Sequence, residues 1–171
     1  MNDLLERIAN PLHVAVAIVT AWLVFSSPWV ELYKQLPPDA DWITRAHVWL
    51  GLAALAMSVL YVAVCVHGGR WRTYFPWAGG QMGMVGRDVA GIFRGQLPSV
   101  EGGGLFALIE GLLLLALVAA GITGALWFAT QGTGEAVGWR EWHIGAARTA
   151  AVLMLLHLVG VSLHLLDFVR D

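Results

Sequence analysis

Six histidines stand at positions 13, 47, 67, 143, 157 and 164, each within or at the end of an apolar stretch. Ionisable side chains are expensive in hydrocarbon and usually functional there. On an α-helix each residue turns roughly 100° and rises about 1.5 Å, so His143 and His157, fourteen residues apart, share a face and lie about 21 Å from each other. His164, seven residues further, continues that face. Neutral imidazole is a good ligand for haem iron. Two haems stacked across a membrane need a histidine column of this kind, with partner histidines on other helices. Zinc and copper need ligands converging on one point, which histidines strung about 21 Å along one helix cannot supply.

Four apolar stretches carry these residues, each near the ~20 residues needed to span hydrocarbon. They run over about 11–30, 44–67, 105–129 and 142–168. Asn10 and Pro11 read as the cap and first turn of the first, and Asp41 or Thr44 as the cap of the second. The chain has 171 residues, 58 % apolar and 13 % charged, about half the charged share of a soluble domain. A soluble core of this size cannot hide that excess. The expected fold is an all-α membrane protein, a four-helix up-and-down bundle forming one domain. A net charge of −2 offers no field for nucleic acid. The single cysteine, Cys65, excludes an internal disulfide, and without a Cys-x-x-Cys-His motif covalent haem attachment is excluded. No cleavage-like site follows Asp3, Glu6 and Arg7, so no signal peptide is expected.

The connections differ in length and charge. Residues 31–43 and 130–141 are short, whereas 68–104 form a long loop with Arg70, Arg72, Arg87 and Arg94. Together with Arg7 and Arg170 these place six arginines on one side, against Lys34, Arg45, Arg140 and Arg148 on the other. The positive-inside rule puts both termini and the long loop in the cytoplasm. Trp29, Trp42, Trp49, Trp127, Trp139 and Trp142 mark the other boundary, as interfacial aromatics do.

Depth then pairs the histidines. His47 and His143 both lie near the outer surface, while His13 lies near the inner end of its helix. His13 can meet His157 or His164. Pairing with His157 sets the irons about 21 Å apart, against about 31 Å for His164. The shorter path favours His157, although depth counted from the inner boundary points to His164. His67 falls about 160° from the His47 face and reads as interfacial. Small residues one turn after the ligands (Ala17, Gly51, Ala147, Gly160) would admit a flat macrocycle, or serve ordinary helix packing, the role expected for Gly121 and Gly124. Arg45, Arg140 and Arg148 suit either haem propionates or lipid headgroups. Glu110 is either a proton-handling group beside a quinone or a carboxylate reaching the interface.

These residues resemble the bacterial cytochrome b561 family and the cytochrome b subunits of nickel–iron hydrogenases and formate dehydrogenases, over nearly the whole chain. The likeness rests on Leu12-His13, on Arg45-Ala-His47-x-x-Leu50-Gly51, and on the His143 and His157 spacing. Gly86-Arg-Asp88 to Gly95-Gln-Leu-Pro98, followed by Gly102-Gly103, resembles those subunits' cytoplasmic loop. Val14 departs from the usual aromatic after the first histidine, and the long loop exceeds that of the shortest cytochromes b561. The resemblance implies two non-covalent haem b groups with bis-histidine ligation by His13, His47, His143 and His157, in a bacterial inner membrane.

The function expected is electron transfer between the quinone pool and a redox partner, such as a c-type cytochrome or a dehydrogenase subunit. The chain would be either a subunit of a larger complex or a small quinone-linked oxidoreductase; membrane lipid is a further partner, and a homo-oligomer is compatible. The competing reading is a haem-free transporter or proton channel in which the histidines relay protons. A third is a membrane scaffold whose histidines only pack.

Overall fold

The structure is a computed structural model describing residues 2–69, 71–98 and 103–170. Arg70 and Gly102, singled out above, lie outside the described residues. Four long helices dominate: α1 (Asn2–Ser26), α2 (Trp42–His67), α6 (Leu105–Ala129) and α7 (Glu135–Arg170). Three short ones, α3 (Trp71–Tyr74), α4 (Pro76–Gly79) and α5 (Met82–Ile92), lie between α2 and α6, and a 3-10 turn, Ser27–Trp29, extends α1. Each long helix contains an apolar span long enough to cross a membrane, and no span has more than 28 % of its apolar window buried. The unburied remainder is apolar surface for lipid. The protein is therefore an all-α membrane bundle, with both termini and α3–α5 at one end and the short connections at the other.

Two helices begin earlier than their apolar runs. α1 starts at Asn2, so Pro11 sits inside the helix instead of opening it. α7 starts at Glu135, because the backbone keeps its helical pairing through Trp139, Arg140 and Trp142, polar and amphipathic residues suited to the headgroup layer. In α2, Asp41 is the cap: its Oδ1 accepts from the N–H groups of Ile43 (2.8 Å) and Thr44 (3.0 Å). Thr44 is buried and ties back the preceding connection, its hydroxyl accepting from the Glu31 N–H at 3.1 Å.

Residues 68–104, read from sequence as a loop, fold back onto the bundle. Asp88 of α5 accepts the N–H of Leu105 at 2.8 Å, capping α6 from another helix where Gly104 has no side chain to do so. A Cβ on Gly104 would collide with that carboxylate. At Gly111 a Cβ would strike the Tyr74 carbonyl, so the missing side chain lets the α3–α4 segment press against α6. Tyr74 and Phe75 there join a small core of Tyr61, Cys65 and Leu114.

The packing is asymmetric. α1 packs on α2, α2 on α6, and α6 most extensively on α7, but α7 makes no comparable contact with α1 or α2. A cleft thus separates α7 from α1 and α2, and His47 and His143 meet across it.

Candidate haem site

At the end carrying the short connections, His47 of α2 and His143 of α7 face each other, ring centres 6.4 Å apart and ring planes at 89°. Metal–imidazole bonds of about 2 Å on opposite sides of one metal place the ring centres roughly 6 Å apart. At the observed spacing the two rings could hold one metal-centred group between them.

The hydrogen bonds set the tautomers to match. His143 Nδ1 lies 2.8 Å from the carbonyl of Ala120; a carbonyl only accepts, so Nδ1 carries the proton. His47 Nδ1 lies 3.3 Å from Ser26 Oγ. That hydroxyl already donates its proton to the Leu23 carbonyl at 3.2 Å, so it accepts from His47. Both Nε2 atoms are left with a lone pair, the state a metal requires, and the partners fix ring orientation as second-shell groups do. Gly124 leaves room for the His143 ring: a Cβ there would stand 3.1 Å from Nδ1. Gly51, one turn beyond His47, has nothing within 4 Å of where a Cβ would be, open space into which a flat group fits.

At the other end His13 is exposed, and its ring stacks on Tyr61 of α2 with centres 5.5 Å apart. Tyr61 follows His47 by fourteen residues, repeating on α2 the interval between His143 and His157. The Tyr61 hydroxyl meets that of Tyr74 at 3.3 Å. His157 interacts electrostatically with His13 across the cleft. Glu110 of α6 turns inward, its Oε1 3.6 Å from His157 Nδ1. His164 instead packs its ring on Phe106 of α6, centres 4.8 Å apart. His67 bonds its own helix, its Nδ1 2.8 Å from the Ala63 carbonyl, and is exposed.

Beside His157 and His164 opens a cavity of about 350 Å³, lined also by Thr73, Tyr74, Phe106 and Glu110. The His164 Nε2 is buried there with no hydrogen-bond partner. Gly160 does not face a macrocycle: a Cβ on it would collide with Phe106, so this glycine seats an α6 side chain. Gly121 packs plainly, its would-be Cβ 2.8 Å from Leu55.

The four candidate histidines were visible in the sequence; the groups packed beside them were not. Ser26, the Ala120 carbonyl and Gly124 carry no motif, and only the register between helices brings them to the rings. Tyr61 alone had a signal, the fourteen-residue interval. A family model described as prokaryotic cytochrome b561 matches residues 5–167. No curated protein and no solved structure matches the chain.

Proposed function

Because the chain belongs to the prokaryotic cytochrome b561 family, and is thereby a membrane b-type cytochrome of electron transfer, we propose that it holds two haems and passes electrons between a quinone and a redox partner protein. His47 and His143 would hold one haem, His13 and His157 the other. The observation that carries this reading is the 6.4 Å separation of the His47 and His143 ring centres, with both Nε2 atoms freed by their Nδ1 partners. The transporter reading gives way to the family membership.

Bound haem supplies one-electron chemistry at iron; the protein supplies position and electrostatics. Ser26 and Ala120 hold the two rings at one end of the cleft in a fixed tautomer. Tyr61 backs His13 at the other end. Fourteen residues of α7 separate the two levels, about 21 Å along the helix, and both ligand pairs span the same cleft. The quinone half of the proposal rests on the cavity beside His157. Its volume is at the low end for small-molecule sites, and its mixed lining is typical of them. The Phe106 ring offers an apolar wall, and the His164 Nε2 can donate to a carbonyl oxygen of the bound head group.

With the arginine-rich end in the cytoplasm, this cavity opens on the cytoplasmic half of the membrane and the His47–His143 pair lies nearer the external face, toward a redox partner. Reduction of the purified protein should produce a b-type absorption band, and a short-chain quinol should produce the same band without dithionite. No band under dithionite overturns the haem half. A band with dithionite but none with quinol overturns the quinone half.

A further inference from the structure

The rings at the far end of the cleft each have a hydrogen-bond acceptor for Nδ1: a serine oxygen for His47 and a backbone carbonyl for His143. His157 Nδ1 is buried with no hydrogen-bond partner. The acceptor facing it is the Glu110 carboxyl at 3.6 Å, just outside hydrogen-bond range. Glu110 is the only charged residue of α6. A lone carboxyl inside an apolar helix is costly unless it has a partner, and its side chain keeps only 31 % of its surface.

We propose that Glu110 is a positioning residue for His157: it accepts the Nδ1 proton, fixes the ring plane and directs Nε2 toward iron. This rests on the assignment of His157 as an axial ligand. α6, which contributes no iron ligand, then supports both ligands on α7, by the Ala120 carbonyl at one level and an acidic side chain at the other. An acidic acceptor strengthens the imidazole as a ligand more than a carbonyl does. A stronger ligand favours ferric iron, so this acceptor would lower the potential of the haem held by His157.

The test uses full-length protein carrying Glu110→Gln or Glu110→Leu, read by potentiometric titration of the haem bands and by the electron paramagnetic resonance of the ferric haems, which reports ligand-plane orientation. Glu110→Gln keeps an acceptor oxygen; both haems should remain, with the resonance of the His157 haem retained and its midpoint raised. Glu110→Leu should shift that resonance, raise the midpoint further and weaken haem retention roughly tenfold or more. The His47–His143 haem should stay unchanged in both. An unmoved midpoint in Glu110→Gln, or equal shifts in the two haems, overturns the proposal even if Glu110→Leu fails to fold. His157→Ala is the companion measurement: if it retains two haems, the underlying ligand assignment falls, whatever the Glu110 variants do.

Discussion

A histidine becomes a metal ligand only when one nitrogen is freed and aimed, and both conditions depend on atoms that sequence spacing does not reveal. The histidine column on α7 was legible because helical geometry fixes which residues share a face. The choice between His157 and His164 was harder, since depth and iron spacing pointed in opposite directions. In the structure His157 lies within electrostatic reach of His13 and beside Glu110, while the His164 ring packs on Phe106; both line the cavity. His157→Ala should therefore lose one haem, with the His47–His143 haem retained. His164→Ala should keep both and slow reduction by quinol. Pyridine haemochrome per mole of purified protein separates the cases; one haem in His164→Ala beside two in His157→Ala reverses the roles.

At the scale of elements, apolar runs located the membrane spans, but their ends were set by other forces. Asp41 begins α2 through two backbone bonds, and Asp88 caps α6 across a tertiary contact. Asp88 lies in a segment that reads as a loop because its helices are short and amphipathic, and no local periodicity reports that α5 must reach the start of α6. Asp88→Ala should cost about 1 kcal/mol, seen as a lower unfolding temperature in detergent. Gly160→Ala should be worse, because the new methyl strikes Phe106 at the tightest helix pair, and overpacking of this kind costs about 1–3 kcal/mol.

Asp41 adds a pH dependence. Hydrogen bonds from the Thr44 side chain and backbone hold its carboxyl below the ordinary range. A group whose folded value is depressed stabilises the fold above its unfolded value and loses that contribution as pH falls through the folded one. Thermal stability should thus decline on acidification below the ordinary carboxylate range. Asp41→Asn, which still caps, should flatten that part of the profile; an unchanged slope would assign the acid sensitivity to other carboxylates.

For the whole molecule, the asymmetry of packing matters most. Three helix pairs close tightly and one side stays open, which is how a small bundle makes room for something broader than a side chain. Composition predicted the membrane and the number of spans, but not this cleft, because which helices remain apart depends on where Gly111, Gly121 and Gly160 admit their neighbours. The proposed orientation rests on the arginine distribution. A cysteine replacing the exposed Gln96, in a Cys65→Ser background, should resist a membrane-impermeant thiol reagent in intact cells; ready labelling would invert the molecule and exchange the faces assigned to quinone and partner.

The central claim is that two histidine pairs hold two haems along one cleft. Haem per chain, measured by pyridine haemochrome on the purified wild-type protein and on His143→Ala, tests it most directly. Two haems falling to one, with the survivor still reducible, is the predicted result. A single haem in the wild type, or two in His143→Ala, would contradict it.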